Sequence, residues 1–462
     1  MTRRHVALKT THLITCVLIV ILCCHGIAFA GKKGVDQEKG KLQFKADIRF
    51  RAEYYNNFNA KNYGDQPTVG EKDDGFMLSR IRLGIHYKPN KKLYFALGIQ
   101  DSKEIGLSVK PEDFYKATFD RIHDPYEDTF ELFNTYVEIK EVLPFDIKAG
   151  RMCVGYGNKR VFGPGAWGNV GRWHWDRIVF RYEFKHGFID PYFGQVKIHD
   201  PYVFSWTHEA AFRSFGFYSQ FKVPTENDTV MAFEPMAFTK TNDKGRFNSE
   251  DKTKGNLKMW FIGTRFFVKN YKGLDGDFTY LKQNGEQSID DVDAYGIHFL
   301  AAYNFKYTCK PRASLEYTYG SGDSDPNDGT IETFDGAFGS RAKVMGRMNL
   351  HFWKNLKDLQ FNFESKPTKM VSFKAEYHRY WLANAKDAWY FNPKYRDKTG
   401  MSGDEIGSEF DICTTFKLPK NFHVEMIYGH FWPGEFTKNL ASDVQANWLS
   451  VQWGYNFSHF VK

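Results

Sequence analysis

From Leu42 to Tyr54 the chain alternates with a period of two. Leu42, Phe44, Ala46, Ile48, Phe50, Ala52 and Tyr54 share one face; Gln43, Lys45, Asp47, Arg49, Arg51 and Glu53 share the other. That period belongs to a β-strand, here with one apolar face and one almost fully charged face. Slipping the register by one residue would turn five charges outward. If the apolar face meets lipid, each costs up to roughly 2–4 kcal/mol near the midplane, a total on the order of 10 kcal/mol. The pattern recurs in Ile81, Leu83, Ile85 and Tyr87 against Arg80, Arg82, Gly84 and His86, and in Leu93, Phe95, Leu97 and Ile99. It returns in Ile178, Phe180, Tyr182 and Phe184 against Arg177, Arg181 and Glu183, in Phe373, Ala375 and Tyr377, and last in Leu449, Val451, Trp453, Tyr455 and Phe457.

The connections alternate too. Short ones rich in Pro, Gly, Asn or Lys occur at 88–91, 141–144, 185–187, 222–228, 270–273, 306–311, 365–369 and 417–421. Long polar stretches lie between them, such as 57–75, 102–129, 152–176, 320–354 and 381–405. Eight short turns and nine long loops predict 18 strands. The fold expected is all-β: a transmembrane antiparallel barrel with short periplasmic turns, long extracellular loops and both termini on the periplasmic side. A barrel of that size encloses an aqueous channel. A soluble β-helix or multi-sandwich would also alternate, but the chain has no fixed repeat of the kind such folds carry, and they leave the alternating loop lengths unexplained.

The start of the chain adds a destination. Arg3, Arg4 and Lys9 precede a short apolar core from Leu13 to Cys24, and Ala28-Phe29-Ala30 fits a cleavage site. Residues 1–30 therefore read as a cleaved signal peptide for the general secretory route, despite a faint twin-arginine echo at Arg3 and Arg4, and residues 31–462 as one barrel domain. The core is too short for a spanning anchor. Removing 30 of 462 residues leaves 432, and the loss of three basic residues lowers the net charge from +8 to about +5. So mild a charge argues against nucleic-acid binding. Beyond the signal no apolar run is long enough for a membrane helix, yet aromatics make up 18% of the chain, with 44 Phe and 26 Tyr. A polar average with many aromatics is what a lipid-facing, water-filled barrel produces.

Three of the six cysteines leave with the signal; Cys153, Cys309 and Cys413 are odd in number and far apart. Neither a disulfide framework nor a metal or cofactor motif follows from them. The segment Asp323 to Gly329 looks like a calcium loop, but Asp328 and Phe334 stand where an EF-hand needs Gly and Glu, so a turn rich in Asx side chains is the simpler reading.

Several motifs carry a resemblance. Gly150-Arg151, Phe162-Gly163, Trp167-Gly168-Asn169, Gly171-Arg172 and Asp176-Arg177 come first; Leu315 to Asp323 precedes Thr333-Phe334; and Gly429 to Phe436 lies before the last strand. Together they resemble the bacterial alginate export family of outer-membrane proteins, over most of the chain and in order. The resemblance implies an 18-stranded barrel with a narrow, strongly basic constriction through which a polyuronate leaves the periplasm. It does not imply that the polymer here is alginate. The C-terminus departs from the pattern: Tyr455 and Phe457 look like the terminal aromatic assembly signal, but Ser458 to Lys462 follow them.

A polyuronate bears a carboxylate on each sugar, so its passage calls for fixed positive charge in a narrow lumen. Arginine suits this, because its planar fork binds carboxylates and never deprotonates. Alternation makes Lys45, Arg49, Arg51, Arg80, Arg82, Arg177 and Arg181 the pore-lining candidates. Arg49 and Arg51 beside Arg80 and Arg82 would form a ladder of four guanidiniums, which repulsion disfavours without anions or acids nearby. Arg151 shares the parity of Ile147 and Ala149; it is included on the resemblance and reaches the lumen only if Gly150 bulges. The competing reading is a charge lattice in which Asp47, Glu53, Glu138, Glu183, Glu316, Glu376, Glu409 and Asp411 neutralise the arginines and stiffen the barrel.

Passive export of an anionic polysaccharide, alginate-like, is the function expected; a porin for small anions is the alternative, with 152–176 as its inward eyelet. Trp167, Trp173, Trp175 and Trp206 are candidates for stacking on sugar rings or for a girdle. An enzyme is not expected, since no G-x-S-x-G, H-E-x-x-H or paired Ser and His is found. The partners this reading calls for are outer-membrane lipid, an anionic polysaccharide or small anions, and periplasmic export partners.

Overall fold

The computed structural model describes residues 40–461 except 164–167, 172, 227 and 342. The signal segment, Trp167 and Arg172 lie outside the described residues.

Eighteen strands form the wall. They are β1 Lys41–Asn56, β2 Asp74–Lys88, β3 Leu93–Ile105, β4 in two segments (Asp128–Leu132 and Thr135–Val142), β5 Phe145–Cys153 and β6 His174–Phe184. Next come β7 Gly187–Lys197, β8 Ala210–Val223, β9 Val230–Asn248, β10 Lys254–Tyr271, β11 Leu274–Gln287 and β12 Asp290–Asn304. The last six are β13 Arg312–Gly320, β14 Leu356–Ser365, β15 Val371–Trp381, β16 Glu405–Lys417, β17 Phe422–Pro433 and β18 Ala446–Val461. Each pairs antiparallel with its neighbours, and β18 returns to β1 over the full length, from Leu42↔Val461 to Asn56↔Asn447. Closure leaves no free sheet edge, as backbone in hydrocarbon requires. Ser458 to Val461 continue β18 against β1, so those residues past the aromatic signal are wall rather than tail.

The burial pattern is inverted relative to a soluble protein. Phe50, Tyr54, Leu83 and Trp453 point outward and are exposed, whereas Arg49, Arg51, Glu53 and Arg80 are buried within. Leu83 sits mid-strand between Ala46 and Ile99. Replacing it with Arg is expected to lower the folding free energy in lipid vesicles by about 2–4 kcal/mol, read from urea titrations.

Eight short connections lie at one end, as expected. The other end differs from expectation: two of its nine connections are also short, 249–253 and 288–289. At 249–253 the strands lengthen instead, with 19 residues in β9 and 18 in β10, so the wall itself stands where a loop was expected.

β4 is broken at Phe133 and Asn134, with positive φ at Phe130 before the break and at Asn134 within it. Phe133 N–H donates to Gly98 O at 2.8 Å, and a Cβ on Gly98 would come 2.0 Å from Phe133 O. Only glycine permits so close an approach.

Candidate functional site: a basic lumen with inward loops

Two loops enter the barrel. The β5–β6 loop brings Phe162 against the inward faces of β7 and β9, with ring centroids 6.0 Å from Tyr192 and 4.6 Å from Phe238. The β13–β14 loop brings Phe338, 4.6 Å from Trp175 of β6. The loops bind each other: Gly163 N–H donates to Phe338 O at 2.9 Å and Phe338 N–H to Val161 O at 3.1 Å. Phe162 and Phe338 are almost wholly buried, so an aromatic bridge lies across part of the lumen. The expected eyelet at 152–176 thus folds inward, but it does so jointly with a second loop.

Basic residues hold these loops to the wall. Arg160 of the first loop donates to Glu316 Oε2 at 2.7 Å and to Thr318 Oγ1 at 3.2 Å on β13. Arg347 of the second pairs with Glu376 on β15, and its backbone N–H donates to Glu409 at 2.7 Å and Asp411 at 3.1 Å on β16. Lys240 of β9 reaches Asp335 and, at 3.2 Å, Ala337 O. Within the wall itself, Arg265 of β10 bridges Asp277 of β11 and Glu234 of β9. Sequence reasoning missed these four. Arg160 and Arg347 lie in loops, where parity carries no information. Lys240 and Arg265 were within reach, since each alternates with lipid-facing neighbours.

The anticipated residues fall into two groups on the wall. In the first, Arg49 stands directly opposite Arg80, and Asp47 opposite Arg82. Arg80 pairs with Asp47 at 3.1 Å and Arg51 with Glu53 at 2.5 Å. Arg49 donates to Gly168 O and Asn169 Oδ1, each at 3.1 Å, so it grips the inward loop. Arg82 donates to Gln100 Oε1 at 2.6 Å and stacks 3.9 Å from the Phe133 ring. Lys45 has the same parity, at the exposed short-turn end of β1.

In the second group, Arg181 pairs with Asp190 at 2.8 and 2.7 Å. Arg177 donates to the Tyr156 hydroxyl at 2.8 Å and lies 4.6 Å from the Tyr192 ring. These two line a recess with Lys148, Glu138, Asp190 and Tyr156. Arg51, Arg80 and Arg181 therefore belong to a charge lattice. Arg82 and Arg177 do not: among the described residues neither has a carboxylate within ion-pair distance, and the side chains they donate to, Gln100 and Tyr156, are neutral.

Arg151 is elsewhere. It keeps the parity of Ile147 and Ala149 with no register shift, opposite Asp176, so the bulge that would have turned it inward is absent. Its guanidinium binds Asp176 at 2.7 and 3.0 Å, Glu131 at 2.7 Å and Ser205 Oγ at 2.6 Å. The tryptophans divide similarly. Trp175 is in the aromatic bridge, Trp173 donates to Gly339 O at 3.0 Å between the inward loops, and Trp206 is exposed on the β7–β8 loop. The segment Asp323 to Gly329 is a turn with Thr330 N–H on Asp328 Oδ1 at 2.9 Å, as its Asx content suggested.

Comparison with known proteins fits this geometry. The description of the alginate export family matches residues 41–449. No curated protein matches the chain. Among solved structures, Acinetobacter baumannii OccAB2 is similar at 11% identity, with a TM-score of 0.56 over 92% of this chain and 100% of that one. Pseudomonas aeruginosa OpdO has a TM-score of 0.56 at 9% identity, covering 91% and 98%. Pseudomonas aeruginosa OpdK, solved with vanillate, has 0.54 at 11%, covering 90% and 99%. At these identities the likeness establishes the fold.

Proposed function

The chain belongs to the alginate export family of outer-membrane channels, and from that premise we propose that it passes an anionic polysaccharide of the polyuronate class outward through its basic lumen. The observation that carries this reading is the pair of guanidiniums at Arg82 and Arg177, which rest on neutral partners within a lumen where Arg51, Arg80 and Arg181 are matched by acids. Matched pairs stiffen the bore and contribute little net field, whereas unmatched ones attract carboxylates. Interspersed acids keep each binding step weak enough for release. The work is positioning and electrostatics; its relatives are transport channels rather than enzymes.

A second reading, a porin for small organic anions, is favoured by the aromatic bridge of Phe162 and Phe338, which narrows the bore as an eyelet does. Purified barrel in planar bilayers separates the two. The polymer route predicts that oligouronates several sugars long interrupt the current, with residence times rising with chain length. Block by monomeric carboxylates alone, with no length dependence, favours the porin, and a cation-selective channel indifferent to uronates removes both.

A further inference from the structure

The β7–β8 loop, residues 198–209, does not stand up from the rim. Ile198 N–H donates to Glu209 O at 3.0 Å, and the turn between them leans across β6 and β5 to β4, where Ser205 Oγ accepts from Leu132 N–H at 2.8 Å. That brings His199 and His208 against Asp128 and Glu131 of β4, beside the break in that strand. All four side chains are buried, and one ligand atom from each lies within 4.8 Å of every other. Among the described residues this is the one such group.

The polar atoms are poorly satisfied for a group so deeply buried. His208 Nε2 faces Val203 O at 2.7 Å, which places its proton there and turns a lone pair at Nδ1 toward Glu131 Oε2, 3.0 Å away. Neither of those two atoms has a hydrogen-bond partner, nor does Asp128 Oδ1. His199 Nδ1 lies 3.0 Å from Asp128 Oδ2 and 3.4 Å from Glu131 Oε2. Glu131 Oε1 is already taken by Arg151 and Ser205, but Glu131 Oε2, Asp128 Oδ1 and His208 Nδ1 are left without a donor, and a cation among them would satisfy all three. Three of the six separations, 3.0–3.4 Å, are close to the edges of a tetrahedron around a metal bound at roughly 2.0–2.2 Å, and all lie within 4.8 Å. The carbonyl of Val203 behind His208 is the outer support that a metal-bound histidine needs.

We propose that Asp128, Glu131, His199 and His208 bind one Zn²⁺, which fastens the β7–β8 loop to β4. Two imidazoles with two carboxylates suit a borderline cation rather than Ca²⁺ or Mg²⁺, which take all-oxygen shells. Four protein ligands leave no open position, so the site is structural. The sequence hides it because its two halves lie about seventy residues apart without a Cys pair or a regular His spacing. The ion would close the wall where β4 is interrupted and set Tyr202, Phe204 and Trp206, all exposed at the loop tip, over the outer face of the barrel. Without a cation the same atoms have another use. His199 Nδ1 and Asp128 Oδ2, 3.0 Å apart, then share a hydrogen bond, whose proton competes with the metal.

The test uses the whole barrel, folded in detergent, stripped with a chelator and dialysed against Zn²⁺. About one zinc per chain is expected by elemental analysis, and none for His199→Ala/His208→Ala, whose folding is verified by heat-modifiable gel mobility. Co²⁺ in place of zinc should give the intense visible absorption of a tetrahedral site. Chymotrypsin cleavage in the loop, at Tyr202, Phe204 or Trp206, should slow about tenfold with zinc in the parent protein and not in the variant. Parent barrel that takes up no more zinc than the variant, a Co²⁺ spectrum of octahedral type, or cleavage indifferent to zinc overturns the proposal. In the first case a protonated histidine cluster accounts for the burial.

Discussion

Replacing Arg82 and Arg177 together with glutamine is expected to lower the chloride-to-potassium permeability ratio of the channel about tenfold. An unmatched charge some 8 Å from a permeating ion interacts with it by about 2 kcal/mol at an effective dielectric of 20, and physiological salt screens away more than half of that. Two such charges then contribute on the order of 1.4 kcal/mol, a factor of ten. The size of the effect depends on both residues lacking acid partners. Arg82 rests on Gln100 and Phe133, and Arg177 on Tyr156 and Tyr192. The control is Arg181→Gln with Asp190→Asn, which removes a matched pair joined at 2.7 Å and should leave the reversal potential near that of the parent. Unchanged reversal potentials in the Arg82/Arg177 variant would assign every lumen arginine to the lattice and leave the selectivity without a filter.

Why Arg82 and Arg177 could be found, and Arg160 and Arg347 could not, follows from what alternation encodes. In β1, β2 and β6 one parity is apolar and the other charged, so each residue's facing is set by a penalty much larger than thermal energy. Arg49, Arg80 and Arg177 could be placed inside on that ground alone. Parity carries no information beyond the last wall residue. The course of the β5–β6 and β13–β14 loops is decided by contacts between residues far outside any local window, such as Arg160 with Glu316 and Arg347 with Glu409, and no local pattern records them. Arg151 marks the boundary between the two regimes. Strict parity placed it with Ile147, the family resemblance pointed to the lumen, and the structure keeps the parity. What makes that position tolerable for a buried guanidinium is the β7–β8 loop, which lies over it and supplies Ser205. Loop length at 249–253 escapes parity for a related reason: β9 and β10 extend beyond their neighbours, and polar rim strands look like loops when only composition is considered.

The aromatic bridge provides the largest expected change in conductance. Phe162 and Phe338 are 1% and 0% exposed, and their rings are stacked with centroids 5.9 Å apart. Truncating a fully buried Phe to Ala costs about 3–5 kcal/mol. In Phe162→Ala/Phe338→Ala that loss falls on the two loops rather than the wall, since the wall's backbone ladders close on themselves without them. The loops would keep their polar fastenings, Arg160 to Glu316 and Arg347 to Glu376, and so would fluctuate about those points instead of leaving the barrel. Single-channel recordings should therefore show conductance several-fold higher with rapid flicker, while heat-modifiable gel mobility stays that of a folded barrel. Anion preference should fall less than conductance rises, because Arg82 and Arg177 stay on the wall. A variant with parental conductance and quiet current would mean that ions pass along a route the bridge does not cross, and the narrow point would then lie nearer the Lys148 and Arg181 recess.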